Sequence, residues 1–349
     1  MLALCRYGQA GASSRLRTLQ YVSPLQDQNI QVSVASLLDD AYLARLYARR
    51  PVARMQVAIA YAHRLAKMLG ALPYDVLWVE KEAFPWLPAP LEMLLRRRPY
   101  LVDLDDAIFH RYDQHSSALV RHLFGRKLDQ VMSRAAVVTA GNQYLAQRAV
   151  ASGATDVRVI PTSVELRRYP VQQAAPAVFT VGWIGTPATA KFLLSIRGVL
   201  QHLHAQGGVL FRFIGAPADL ALGVPYVAVP WSEATEAAEL QRFSCGVMPL
   251  LDEPFERGKS GYKLIQYMAC GLPAVASPVG ANTDIVVANE TGLFASTDAQ
   301  WIEALSALRA DGRWAMSLGQ AGRSRVEALY STATSSVALA QALHAAAAS

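Results

Sequence analysis

Short apolar runs of strand length alternate with helical patterns from one end of this chain to the other. That alternation restricts the fold more than any other feature, because strands separated by helices pair in parallel and build an α/β sheet. In the first half strands are predicted at residues 2–6, 30–35, 76–79, 100–104, 136–139 and 157–160. A second series is predicted at 178–182, 209–214, 226–229, 246–250, 274–276 and 292–294. Between the two series Pro161, Pro170 and Pro176, with Gln172, Gln173, Ala174 and Ala175, form a stretch without periodicity and mark a boundary. The organisation predicted is an N-terminal α/β domain over 1–170, a second over 171–325, and an Ala-rich helical tail over 326–349 that packs back on the first. Two such halves would face each other across a cleft at the carboxyl ends of their strands, where open sheets bind ligands.

The chain's 349 residues suit two domains at roughly 150 residues each. With 52% hydrophobic and 17% charged residues, disordered and disulfide-stapled classes are excluded. No apolar run approaches the ~20 residues that cross a bilayer, and Met1 to Gly8 lacks a basic leader, so a cytoplasmic protein is expected. Cys5, Cys245 and Cys270 are odd in number and set among apolar residues, which fits buried, reduced thiols.

The formal net charge is +6. Much of the positive charge lies early, at Arg45, Arg49, Arg50, Arg54, Arg64 and Lys67, and again at Arg96, Arg97 and Arg98. Interleaved with Leu43, Leu46, Tyr47, Val52, Met55, Val57, Ile59, Leu65, Met68 and Leu69, it makes basic amphipathic helices. Such helices read either as a solvated face or as a surface that meets anionic lipid at the inner face of the plasma membrane. No nucleic-acid module is visible.

The stretch that carries chemistry runs from Asp252 to Asn282. A small-residue loop, Gly258-Lys259-Ser260-Gly261, feeds a helix predicted over 262–270 that ends at Gly271 before a buried strand. Backbone N–H groups and the helix dipole then point out of the loop beside Arg257, Lys259 and Lys263, which suits a diphosphate. Against this stands an ordinary helix start with surface lysines, and the loop lacks the spacing of a P-loop.

Met268-Ala269-Cys270-Gly271-Leu272-Pro273, followed by Ser277-Pro278-Val279-Gly280, resembles the most recognisable run of the retaining GT-B glycosyltransferases known as glycosyl transferases group 1, or family 4-like. The resemblance implies two Rossmann-like domains, a nucleotide diphosphate sugar as donor, transfer with retention, and no metal or other cofactor. The family carries two glutamates at positions that here hold Gly258 and Gln266; Gln266 could hydrogen-bond a ribose, and the first acid's role is lost or moved to Glu256. The segment from Gly182 through Trp183, Gly185 and Thr186 to Lys191 is similar to the family's donor-phosphate turn, with Trp183 where an Arg is expected. The loop Gly8 to Arg17, with Gly11, Ser14 and Arg15, resembles the glycine loop facing the reaction centre, and Tyr262 starts the donor-binding helix.

In the fourth segment a strand ends in Asp103, Asp105 and Asp106. Three carboxylates at one strand end need cations nearby, and Arg111 or Arg96 to Arg98 could serve. The resemblance puts Asp105 where relatives present a histidine near the donor sugar, so Asp105 and Asp106 are expected to orient hydroxyls. Glu80, Glu82 and His110 are the acceptor-side candidates.

The function implied is hexose transfer from a nucleotide diphosphate sugar to a hydroxyl of a saccharide or lipid-linked acceptor, in bacterial surface polysaccharide or glycoconjugate synthesis. Lys259 and Lys263, with Arg257 and the Ser260 and Gly261 amides, would stabilise the leaving diphosphate. Two alternatives stay open: a degenerate GT-B protein binding anionic lipid or nucleotide, and a metal-dependent GT-A transferase using Asp103-Leu104-Asp105.

Overall fold

The computed structural model describes residues 1–48, 50–70, 73–92, 94–95, 98–174 and 176–349; Arg49, Arg96, Arg97 and Ala175 lie outside them. The chain divides into two units. The first comprises Met1–Thr162, Gly258–Ser260 and Thr332–Ser349, the second Ser163–Arg257 and Gly261–Ser331.

The first unit is built on β1 (Leu2–Cys5), β2 (Ser33–Ser36), β3 (Leu77–Glu80), β4 (Tyr100–Leu104), β5 (Val137–Ala140) and β6 (Val157–Val159), in the order β2-β1-β3-β4-β5-β6. Every pairing is parallel, so each connection is a crossover. Among its helices are α1 (Ala12–Arg17), α2 (Asp40–Tyr47) and α3 (Arg54–Leu69). The strands expected at 100–104, 209–214 and 274–276 form over those residues, and the others within a few of them. β2 starts later than predicted, because Ile30 is buried in the turn that leads to it while the strand itself is an exposed edge.

The second unit holds β7 (Phe179–Ile184), β8 (Val209–Ile214), β9 (Val227–Val229), β10 (Cys245–Met248), β11 (Ala274–Ala276) and β12 (Leu293–Phe294), in the order β12-β11-β10-β7-β8-β9, again parallel throughout. β7 runs past Gly182, where the sequence suggested it would turn, because its ladder with β8 continues through Trp183↔Phe213 and Ile184↔Ile214. Gly182 pairs with Gly246 of β10, and the two together make a slot for aromatic rings. A Cβ on Gly182 would lie 2.0 Å from Phe243, and one on Gly246 would lie 2.3 Å from Tyr267.

After β10 comes α4 (Tyr262–Ala269), close to the predicted span; Gly271 follows it with φ +71°, the left-handed conformation that stops a helix and favours glycine. The last helix, α5 (Thr332–Ala347), belongs to the first unit. Its Leu339, Ala342, Leu343 and Ala346 pack with Ala3, Tyr21, Trp78, Leu101 and Val137. All three cysteines are buried and unpaired. Among the described residues no helix is long and apolar enough to cross a membrane.

Candidate functional site

In each sheet the direction of strand succession reverses once, between β1 and β3 in the first unit and between β7 and β10 in the second. Diverging loops at such a reversal leave a crevice beyond the carboxyl ends of the strands, which is where doubly wound sheets hold ligands.

At the first reversal a buried polar cluster forms. Glu80 ends β3, and Lys81 follows with φ +64°, a strained conformation for a residue with a side chain. Lys81 Nζ lies 2.8 Å from Asp105 Oδ1, 3.2 Å from Asp106 Oδ2 and 3.0 Å from Ser13 Oγ. The Ser13 hydroxyl donates to Asp105 Oδ2 at 2.6 Å. The Nζ to Asp105 Oδ1 contact is close but bent, an ion pair rather than a directed hydrogen bond. Glu80 Oε2 accepts from the Ser14 hydroxyl at 2.6 Å and the Arg6 N–H at 2.9 Å.

Electrostatics follow from burial and charge together. Burial, with the charge of Asp105, raises the Glu80 carboxyl above its ordinary range, and the nearby Lys81 and two hydrogen bonds only partly offset it. For Asp105 burial pushes upward too, but the close charge of Lys81 and the hydrogen bond from Ser13 prevail and hold it below the usual carboxylate range. Burial works to lower the Lys81 ammonium, and Asp105, Asp106 and Glu80 outweigh it, so Lys81 is held above its ordinary value.

The neighbouring acid is spent differently. Arg17 of α1 grips Asp103 with Nε at 2.9 Å and Nη2 at 2.6 Å, and Thr139 donates to the same carboxylate at 2.6 Å. Arg17 and Lys81 are thus cations that meet these acids among the described residues; Arg96 and Arg97, suggested by sequence, lie outside them. Asp103 and Asp105, the two acids of the Asp-x-Asp, are thus each paired with a protein cation.

Several candidates are corrected here. Ser14 is fully buried and bonded to Glu80 and the Tyr7 N–H, so its hydroxyl shapes the loop rather than reaching a ligand. Glu82 is locked by Lys127 Nζ at 2.7 Å and the Tyr112 hydroxyl at 2.9 Å, all buried, which makes it a core ion pair and not an acceptor-side group. His110 has both ring nitrogens occupied, Nδ1 by Asp113 and Nε2 by the Tyr144 hydroxyl, each at 2.8 Å. Gly11 precedes α1, and a Cβ there would lie 2.4 Å from Tyr7 Cβ; Arg15 is buried and donates to the Gln9 carbonyl at 3.0 Å. Lys81, missed from sequence, had one available signal: it is the sole cation in a strand-end Glu80-Lys81-Glu82.

At the second reversal α4 begins at Gly261, which takes φ +65° and lends the helix no side-chain cap. Lys263 in its first turn holds Nζ 5.5 Å from the centre of the Trp183 ring, a cation–π arrangement. Trp183 itself is buried in the sheet core and Gly182 serves packing, so neither contacts a phosphate as expected. Gly185 follows β7, where a Cβ would strike Trp183 at 2.4 Å. Thr186 and Thr189 bond each other's turn, the Thr186 N–H donating to Thr189 Oγ1 at 3.0 Å. Lys191 is exposed, with Nζ 5.1 Å from the Phe192 ring centre. Arg257 pairs with Asp252 at 2.7 Å at the surface, and Glu256 is buried. Lys259 and Ser260 fall in the segment grouped with the first unit.

Gln266 is engaged within the second unit. It is 3% exposed, and its Nε2 donates to the Tyr169 hydroxyl at 3.2 Å instead of facing a ribose. That hydroxyl donates to Glu236 at 2.5 Å, and the Trp231 indole N–H donates to the other Glu236 oxygen at 2.7 Å. Tyr262 reaches the same network, its hydroxyl 3.2 Å from that of Tyr169. Glu236 thus supplies the buried carboxylate beside α4.

The family model for glycosyl transferases group 1 matches residues 175–311. No curated protein matches the chain by sequence. Among solved structures, sucrose-phosphate synthase from Thermosynechococcus elongatus is similar at TM-score 0.70 and 18% identity, over 97% of each chain. HepE of Anabaena, in complex with UDP-glucose, is similar at TM-score 0.70 and 16% identity, over 98% of each chain. WaaG, a glycosyltransferase involved in lipopolysaccharide biosynthesis, is similar at TM-score 0.67 and 12% identity, over 98% of each chain. Residues 175–311 thus match the glycosyl transferases group 1 model, in a chain whose two parallel-sheet units have the GT-B fold.

Proposed function

We propose that this chain is an enzyme that transfers a hexose from a nucleotide diphosphate sugar to a hydroxyl of a saccharide or lipid-linked acceptor, with retention, in the cytoplasmic assembly of bacterial surface polysaccharide or glycoconjugate. The observation that carries the reading is α4: an uncapped helix start at a sheet's reversal point, with Lys263 in its first turn, inside the domain that matches the family. An anion at that end meets backbone N–H groups and the helix dipole. HepE, similar in fold, was solved with UDP-glucose, which supports a sugar nucleotide as donor.

Lys263, with Lys259, Arg257 and the Ser260 and Gly261 amides, accepts the charge that develops on the departing diphosphate. These donors do the work a divalent metal would do elsewhere, so no metal is required. In the first unit Asp106 is suited to hold a hydroxyl, since its Oδ1 accepts no hydrogen bond from a described residue. A binding module without turnover is favoured by one observation, the engagement of Gln266 with Tyr169 in place of an acid free to hold ribose.

Calorimetric titration with UDP, GDP, ADP and dTDP tests the reading, and micromolar binding of one of them is expected. Lys263→Ala should lower turnover at least about tenfold with the fold intact, the loss typical of one transition-state donor. Wild-type turnover in that variant would remove the lysine from the mechanism, and binding of nucleotide without any transfer would favour the module.

A further inference from the structure

α3 is built inside out. Its inward stripe of Val57, Tyr61, Arg64 and Met68 includes a buried arginine, whose Nη2 donates to the carbonyls of Cys5 and Ala35 at the ends of β1 and β2. Its outward face is Met55, Ile59, Ala62, Leu65, Ala66 and Leu69, all exposed. At about 100° per residue these fall within an arc of about 120° opposite the core, with no polar residue among them. Met55 is 71% exposed, Ile59 48% and Leu69 46%, so the apolar face lies in the open. Leu46 and Tyr47, at the end of α2, are exposed as well.

Along the chain from α2 to the end of α3 the charge beside this face is of one sign past Asp40. Between Asp40 and Asp75 the sequence holds no acid, while Arg45, Arg50, Arg54 and Lys67 are exposed there. A cavity of about 370 Å³ between α2 and α3 is lined in part by Asp39, Tyr42, Arg45, Ile59 and His63, so one acid stands beside the arginine there. An exposed apolar stripe on a helix costs free energy in water, and it persists where something covers it.

We propose that the face of α3, with the end of α2, docks on an anionic lipid bilayer, lying in the interface with Met55, Ile59, Leu65 and Leu69 among the acyl chains and the arginines at the headgroups. Charge selects this occupant over a second copy of the chain, because a symmetric dimer would set the same cationic rim against itself. An anionic surface matches both the apolar stripe and its rim. The proposal deepens the transferase reading by placing the enzyme where a lipid-linked acceptor resides; it rests on that reading for its purpose and not for its physics.

Vesicle co-sedimentation of the full chain tests it without sugar nucleotide, so failure here leaves the nucleotide titration untouched. Vesicles of phosphatidylcholine alone should bind weakly, and vesicles with about one quarter phosphatidylglycerol at least about tenfold more tightly, with the gain lost at high salt. Met55→Gln combined with Ile59→Gln should lower binding to the anionic vesicles about tenfold with unchanged thermal melting, since both side chains are exposed. Arg45→Gln with Arg54→Gln should lower binding and flatten its salt dependence. Absence of vesicle binding by the folded wild-type chain would overturn the proposal. So would binding indifferent to the Met55 and Ile59 changes, or a dimer in sedimentation equilibrium that those changes dissociate.

Discussion

Lys81 touches both Asp105 and Asp106, and the three side chains are largely buried. Breaking a buried ion pair leaves a carboxylate without its counter-charge, so Lys81→Met should destabilise the first unit by about 3–5 kcal/mol in denaturant unfolding. Adding Asp105→Asn should recover part of the loss, giving a coupling of about 0.5–3 kcal/mol in the double-mutant cycle, and strict additivity would show that the contact contributes nothing. The thiols act on stability through pH. Burial pushes Cys5 and Cys270 up to about 12 from an ordinary 9. Between those values the unfolded chain gives up protons that the folded chain keeps, so stability is fully present below pH 9 and falls as pH rises, by about 1.4 kcal/mol per unit for each thiol. Urea melts from pH 8 upward should show the decline beginning near pH 9, and Cys270→Ala should make it shallower.

Among the elements, α5 shows how a segment distant in sequence becomes part of a core. Alanines at 342 and 346 let the helix approach the sheet closely, and Leu339 and Leu343 fill the space against Leu101 and Val137. Leu343→Ala should cost about 2–5 kcal/mol, the range for a buried leucine, and removal of residues 332–349 should abolish cooperative unfolding of the first unit as followed by circular dichroism. A deleted chain that still melts cooperatively would mean the helix is an accessory. α3 shows the opposite disposition, with Arg64 turned inward and Met55, Ile59, Leu65 and Leu69 outward, which helical periodicity alone reads as an ordinary amphipathic element.

For the whole molecule the proposed chemistry assigns the neutralising charge to lysine, arginine and backbone donors, so transfer should be unchanged by excess chelator; activity lost with chelator and restored by Mn²⁺ would refute that assignment. The sequence by itself determined two parallel α/β halves, because the periods of strand and helix and the stops at residues such as Gly271 are local properties. It also determined the α4 loop with its cluster of cations, which are neighbours along the chain. Tertiary structure alone decided the partners within each unit. Arg17 meets Asp103 across 86 positions, Lys81 meets Asp106 across 25, and Gln266 meets Tyr169 across 97. Those meetings depend on strand order, which no local pattern encodes, and on burial, which forces each charged or polar group to find a partner wherever the fold brings one.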